Sequence, residues 1–333
     1  MGQLLSEPVL EKETNYGGNE KVIFAISSMQ GWRVSMEDSH IAILSLIDEL
    51  ERIKKEKETN ENNNNTNNSS NYNINNIEND LSFFGVFDGH SGGVVSKYAS
   101  KELHKIFMKE EEFKLKNYEK ALKAAFFKLD EQMQKDEELS NSEAGSTAVV
   151  SLITDNLLYI ANCGDSRAII SSNGVAKALS TDHKPTLPDE KTRILNSGGF
   201  VQSGRVNGQL AVSRSLGDFV YKTNTALPND EQTVTANPDV FVKSITEEDE
   251  FIVLACDGVW DYMTNEQVIE FIREGIVNRL GLSQIAENLL NECASEKEEA
   301  SSKKPSYDNM TMIIVGFLQG KTKEEYYNMI KER

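Results

Sequence analysis

Ser146-Thr-Ala-Val-Val-Ser-Leu-Ile-Thr154, then Asn156-Leu-Leu-Tyr-Ile-Ala-Asn-Cys163, Arg167-Ala-Ile-Ile-Ser171 and Val175-Ala-Lys-Ala-Leu179, decide the fold class of this chain. Only Asp155, Gly164 with Asp165, and Asn173 with Gly174 punctuate these β-rich runs, so the spacing predicts an antiparallel meander rather than βαβ crossovers. Further strand-like runs lie outside it, at His40 to Ile47, Ser82 to Phe87, Phe251 to Cys256 and Met310 to Leu318. Helical spacing marks Val94 to Phe107 and Tyr118 to Met133, the second with Leu122, Ala125, Phe126, Leu129 and Met133 on one side. A helix from Pro188 to Asn196 closes at Gly198 and Gly199, another opens at Thr264 with Gln267 completing a capping box, and a third spans Ser283 to Glu296. Long helices with many hairpin strands make an α+β protein. Two antiparallel β-sheets packed face to face, with helices outside, would bury both kinds of element.

Acidic residues stand at the ends of these strands. Asp88 with Gly89 and His90 follows Ser82 to Phe87, Asp257 with Gly258 follows Phe251 to Cys256, Asp308 with Asn309 precedes Met310, and Glu37 with Asp38 precedes His40. Carboxylates gathered at the ends of buried strands repel one another unless a cation neutralises them, which points to a polynuclear site for a hard, oxygen-seeking metal. Oxygen ligands suit Mg2+ or Mn2+, and two such ions serve phosphoryl displacement. The four histidines, His40, His90, His104 and His183, form no cluster, so zinc is disfavoured. A cysteine-phosphatase signature is missing as well, because Ile169, Tyr262 and Glu299 stand where an arginine should follow Cys163, Cys256 and Cys293. Water is therefore the expected attacking group.

Composition bounds the rest. The chain has 333 residues, 38% of them hydrophobic, enough for one large core or two smaller ones. Against 35 basic residues stand 53 acidic ones, a net charge of −18 that disfavours nucleic acid as a partner. Three scattered cysteines fit a reducing compartment, and no apolar run reaches the ~18 residues of a membrane span. Met1-Gly2-Gln3-Leu4-Leu5-Ser6 fits the N-myristoylation pattern. Glu7, Glu11 and Glu13 outnumber Lys12 there, so the expectation is at most weak, reversible membrane association through an acylated Gly2 of a cytoplasmic or nuclear protein. No heptad or apolar stripe stands out, and a monomer is expected.

From Asn60 to Asn79, twelve of twenty residues are Asn, which reads as a disordered insert. Candidate strands enter and leave it. If they pair antiparallel, Asp38 and Asp88 meet at one end while the insert leaves from the other, roughly 20 Å away at ~3.3 Å per residue.

The motifs together resemble the metal-dependent Ser/Thr protein phosphatases of the 2C (PPM) family. The blocks are Ser28 to Ser39 with Gln30, Gly31, Trp32, Arg33, Met36, Glu37 and Asp38; Phe87 to Ser91; Gly145 to Ala148; Asn162 to Arg167; Asp182 to Pro185; Arg205 to Asp218; Ala255 to Asp261; and Asp308 to Met310. They arrive in family order from about Val22 to Leu318. The resemblance implies a sandwich of two antiparallel sheets flanked by helices, a binuclear Mn2+ or Mg2+ centre at one end, phosphorylated proteins as substrates, and hydrolysis by a metal-bridged hydroxide without a phosphoenzyme. It implies that Asp88 bridges both ions, Gly89 ligates through its carbonyl, Asp257 and Asp308 serve one ion, and Glu37 and Asp38 support the other. By the same resemblance Arg33 grips the phosphate, His90 is the general acid, and Asp165 and Asp261 join Asp257 around a weaker third ion. Arg205 and a flap at about 218–239 would border the substrate cleft. The implied organisation is an N-terminal segment 1–20, a phosphatase domain 21–320 interrupted by an insert at about 53–80, and a tail 321–333. The insert and the acidic run Asn229 to Gln232 in the flap depart from the compact family pattern.

Plainer readings stand beside these. His183 is expected to be a structural hydrogen-bonding residue, Trp32 and Trp260 core residues that pin the acidic loops, and the tail with Tyr326, Tyr327 and Ile330 a short surface helix or nothing ordered. A catalytically dead scaffold would need lost ligands, and every acidic position is present. A two-metal nuclease would need a basic track, which the acidic balance does not supply.

Overall fold

Alternate residues of the strand Asp249–Ala255 face opposite ways, and both sides are covered: Ile252 and Leu254 enter one apolar cluster, Phe251, Val253 and Ala255 another. Such a strand needs a sheet on one side and helices on the other. The computed structural model describes residues 4–61, 81–295 and 304–333, and shows that layering throughout. One sheet runs Leu4–Gly18, Val22–Arg33, Met310–Phe317, Asp249–Ala255, Arg167–Ser172, Val175–Ala178; the other runs Asp239–Ser244, Leu157–Cys163, Ala148–Ile153, Ser82–Phe87, Ser39–Ile43. Every neighbouring pair in them is antiparallel. Phe24, Ile26, Phe84, Val86, Ile160 and Ile313 fill the space between the sheets. Helices Val94–Phe107 and Tyr118–Lys135 bury Leu103, Phe107, Leu122 and Phe126 against one outer face. Helices Asn265–Val277, Leu282–Ala294 and Lys323–Glu332 bury Ile272, Leu289 and Tyr326 against the other. The α+β sandwich expected from sequence is the fold.

Several details differ from expectation. The four runs at 146–179 are antiparallel but do not form one meander: Ala148–Ile153 pairs with Leu157–Cys163 in one sheet, Arg167–Ser172 with Val175–Ala178 in the other. The chain changes sheets through Gly164, Asp165 and Ser166, where Gly164 takes a φ of 115°. A turn short enough for a hairpin also suffices for a step between packed sheets, so spacing alone could not tell them apart.

The hairpin across the insert is present, with Ser39 opposite Phe87 and Ile43 opposite Phe83. Its first arm stops at Ile43, because Leu46–Glu61 is a helix that buries Leu46, Leu50 and Ile53 on one side. That helix takes the end of the expected strand and the first part of the expected insert at 53–80; residues 62–80 lie outside the described residues. The segment assigned to 1–20 contributes the long edge strand Leu4–Gly18, whose exposed, charged side chains carry no core pattern. The tail forms a helix seated on the core: Thr322 and Glu325 cap it reciprocally, Tyr326 is fully buried, and its hydroxyl donates to Glu250 O at 3.0 Å.

Helix Pro188–Asn196 anchors the segment that borders the site. Its buried Glu190 accepts from Arg193 Nη1 at 2.7 Å, Arg214 Nη2 at 2.7 Å and Ser213 Oγ at 2.6 Å. Burial alone would raise this carboxyl, but Arg214 and Arg193 outweigh it and pull it down to about 2. A depressed folded pKa stabilises fully above the ordinary value near 4.3, and the benefit disappears as pH falls through the folded value. Glu190→Gln is expected to cost about 3 kcal/mol at pH 7, with the gap from wild type narrowing below about pH 4. Urea unfolding across that range checks it; a gap independent of pH would contradict it.

Candidate metal centre

Strands of both sheets stop at one edge of the sandwich, and that is how residues distant in sequence reach one cleft. Asp88 follows Ser82–Phe87, Asp257 opens the short helix Asp257–Trp260 after Asp249–Ala255, and Asp308 leads into Met310–Phe317. Glu37 and Asp38 lie in the turn from Val22–Arg33 to Ser39–Ile43, and Asp165 sits in the step between sheets. A cleft of about 700 Å³ gathers Arg33, Glu37, Asp88, Gly89, His90 and Asp165 on its wall with Lys184, Arg205, Asp257, Asp261 and Asp308. Asp38 lies buried at its edge, within 4.8 Å, oxygen to ligand atom, of Asp88 and Cys256. Every site residue expected from sequence is therefore brought together.

The electrostatics are those of a site short of positive charge. Burial, then Asp257, Asp38, Asp308 and Asp165, push the Asp88 carboxyl well above the usual range. Burial, then Asp165, Asp308 and Asp261, do the same to Asp257. Burial carries Asp38 up to about 7 against the Thr311 hydroxyl, which donates to Asp38 Oδ2 at 2.7 Å. Among the described residues no donor reaches its buried Oδ1. Converging oxygens with an unsatisfied buried acceptor fit hard divalent cations, which would supply the missing charge. The thiol of Cys256 does not belong to that donor set. A thiol is a soft donor that hard cations do not seek; burial and then Asp38 and Asp88 push its pKa well above the ordinary value, and it contacts Asn309 O at 3.5 Å and the Thr311 N–H at 3.1 Å.

Close backbone approach shapes the cradle. A Cβ on Gly89 would lie 2.3 Å from Glu37 O and 2.9 Å from Ser96 Oγ, so only glycine lets the two acidic turns touch. Gly89→Ala should lower stability by about 1–3 kcal/mol and weaken Mn2+ binding at least tenfold, read by urea unfolding and metal titration. Unchanged affinity would show that this approach does not build the site. Asn309 ties the Glu37 turn to the Asp308 turn, accepting the Glu37 N–H at 2.9 Å and donating to Gln30 O at 2.8 Å and Ser35 O at 3.0 Å.

The cationic side chains lie around the rim. Arg33 Nη2 donates to Asp308 Oδ2 at 2.6 Å and Nε to Tyr307 O at 3.2 Å. Arg205 bonds Gln209 O at 2.7 Å from an exposed position. Lys184 pairs with Asp165, and it is the cleft residue that sequence reasoning missed. It stands inside the recognised block Asp182 to Pro185, but nothing in its spacing aims it at Asp165. His90 Nε2 meets Asp218 Oδ2 at 2.7 Å. Burial lowers the pKa of His90, but Asp218, with Asp165 and Glu37, outweighs it and leaves the ring above its usual value. His183 is structural, as expected: its Nδ1 accepts the Gly164 N–H at 3.1 Å and its Nε2 meets Asp239 Oδ2 at 3.1 Å. Both tryptophans are buried, and Trp260 Nε1 donates to Ala255 O at 2.7 Å beside Asp257.

Comparison with known proteins decides the lineage. The family model described as "Protein phosphatase 2C" matches residues 23–302. "Protein phosphatase 2C homolog 2" of Hypocrea jecorina is 45% identical over 333 residues, covering all of this chain and 71% of that protein. The chain belongs to the protein phosphatase 2C family. "Protein phosphatase 2C homolog 2" of Schizosaccharomyces pombe is 44% identical over 334 residues, with all of this chain and 83% of that protein covered. Among solved structures, a phosphatase from Toxoplasma gondii superposes with a TM-score of 0.71 at 24% identity, covering 92% of this chain and 96% of that one, a likeness of fold. Members of the protein phosphatase 2C family are metal-dependent, and the oxygen-rich cleft of this chain fits that requirement.

Proposed function

We propose that this protein phosphatase hydrolyses phosphoserine and phosphothreonine in proteins, with two Mn2+ or Mg2+ ions held by Asp88, the Gly89 carbonyl, Asp257 and Asp308 and supported by Glu37 and Asp38. The observation that carries the reading is the gathering of Asp88, Asp165, Asp257 and Asp308 on one cleft wall with Asp38 beside Asp88, where burial and then Asp257, Asp38, Asp308 and Asp165 push the Asp88 carboxyl up, a charge problem that divalent cations resolve. When bound, such ions would lower the pKa of a water, which would make hydroxide rather than a side chain the attacking group, with no phosphoenzyme. Arg33 binds the phosphate: a dianion competes with Asp308 for its guanidinium, which suits bidentate contact. His90 gives a proton to the departing serine or threonine oxygen. Arg205, on the rim, contacts the substrate chain. Asp165 and Asp261, with Asp257, would hold a weaker third ion, for which Lys184 is the neighbouring competitor at Asp165.

One assay tests the reading. Phosphate release from a phosphothreonine peptide should depend on Mn2+, stop with EDTA, and have no counterpart in cleavage of single-stranded DNA. Metal-independent release, or DNA cleavage, would overturn it. We also propose a monomer working in the cytoplasm or nucleus, with weak membrane affinity through acylated Gly2. Gly2 lies outside the described residues. The mass of the N-terminal peptide tests the acylation, and an unmodified mass from a cell that acylates such sites would refute it.

A further inference from the structure

A small sheet beside the cleft holds His90 against a residue that has no place among the metal ligands. Its three two-residue strands run Leu216–Gly217, Gly145–Ser146, Gly89–His90, so Gly145 stands opposite Gly217 on one side and His90 on the other. A Cβ on Gly145 would lie 2.1 Å from Asp218 Oδ2 and 2.4 Å from His90 Nε2. The ring and the carboxylate therefore meet over a position that has no side chain, 2.7 Å apart. Ser215 Oγ donates to the same Asp218 oxygen.

The carboxylate is held at a cost. Asp218 is buried and takes φ 52° and ψ 40°, left-handed backbone that a non-glycine residue keeps only when its surroundings enforce it. Those surroundings are explicit. Asp130, on helix Tyr118–Lys135, accepts the Gly217 N–H at 2.8 Å and pairs with Lys222 at 2.8 Å, while Lys222 also donates to Ser215 O at 2.9 Å. The Asp218 N–H donates to Ala144 O at 3.2 Å. Residues on both sides of Asp218 are thus tied to one part-buried ion pair. Of the two nitrogens of His90, Nε2 faces Asp218; Nδ1 is not a buried atom, and among the described residues it has no protein partner.

We propose that Asp218 is the positioning residue of the proton donor: by accepting the Nε2–H of His90 it leaves Nδ1–H as the proton delivered to the leaving serine or threonine oxygen. As the P–O bond breaks, its electron pair stays on that oxygen, which takes the Nδ1 proton. The ring is left neutral with Nε2–H still on Asp218, and water restores the Nδ1 proton before the next cycle. This rests on the reading of His90 as general acid.

The test uses the full chain loaded with Mn2+. Asp218→Gly deletes the carboxylate while tolerating the left-handed backbone, and Asp218→Asn keeps a weaker acceptor at a residue type that also accepts that conformation. For an acid worth ~10²–10⁴ in rate, Asp218→Gly should lower kcat on a phosphothreonine peptide about 30-fold, with KM within about twofold and p-nitrophenyl phosphate turnover down about threefold or less. Asn should recover part of the loss, and Asp218→Gly added to His90→Ala should cost nothing more. Ser215→Ala, a milder change, should show the same substrate pattern at about threefold. Equal losses on both substrates, losses confined to KM, or additivity with His90→Ala would overturn the proposal. If His90→Ala itself fails to distinguish the substrates, the general-acid reading falls and this falls with it. If His90→Ala distinguishes them and Asp218→Gly and Ser215→Ala do not, the positioning role alone is wrong.

Discussion

Asp88→Asn is expected to lose about a thousandfold in kcat on a phosphothreonine peptide and to bind Mn2+ at least a hundredfold more weakly, while remaining folded. Asp88 stands where the neighbouring carboxylates converge. Burial and then Asp257, Asp38, Asp308 and Asp165 all push its carboxyl up, so its charge is the one a bound cation would relieve most. Charge stabilisation by metal is worth several kcal/mol in a phosphoryl displacement, and each 1.4 kcal/mol is about tenfold in rate. The amide keeps the shape of the carboxylate but neither its charge nor its affinity for a hard cation. In EDTA the variant should melt no lower than wild type, because one of several mutually repelling groups has gone. Added Mn2+ should stabilise wild type by about 2.7 kcal/mol per site at a hundredfold excess over Kd, and the variant by much less. Thermal melts with and without Mn2+ measure this directly; a variant that responds to Mn2+ as wild type does would remove Asp88 from the centre.

The second large effect concerns the leaving group. His90→Ala should reduce phosphothreonine-peptide turnover about 10²–10³-fold and p-nitrophenyl phosphate turnover less than about tenfold. An alkoxide leaves poorly without a proton, whereas p-nitrophenolate needs little help. The location of His90 beside the acidic cleft, with Asp218 at 2.7 Å, suits a proton donor. Steady-state kinetics on the two substrates check the expectation. Equal losses would take His90 out of that role and assign it to holding the Gly89 turn.

The acidic cleft was legible because its chemistry is written locally. An apolar run that ends in Asp-Gly or begins after Asp-Asn says where its carboxylate emerges, and Asp88, Asp257 and Asp308 are each such a case. The antiparallel layering was legible for the same reason, since short turns between β-rich runs leave no room for crossover helices. What escaped reading depends on pairings that no local pattern encodes. Lys184 reaches Asp165 only because the His183 loop folds back, with the His183 N–H donating to Gly164 O at 2.9 Å. Asp218 reaches His90 only because two-residue strands pair around Gly145. The edge strand Leu4–Gly18 is half exposed and studded with charge, so its pairing with Val22–Arg33 has no hydrophobic alternation to announce it. Leu46, Leu50 and Ile53 lie at helical spacing, yet the preceding strand and the following Asn tract drew that segment into the wrong elements.

The claim beneath all of this is that the gathered carboxylates exist to hold paired divalent ions. Calorimetric titration of the metal-stripped full chain with Mn2+, with the bound metal counted after dialysis, tests it without reference to catalysis. At least two Mn2+ per chain should bind to wild type, and fewer to Asp88→Asn. Binding of one ion or none by the folded wild type, or an unchanged count in the variant, would contradict it.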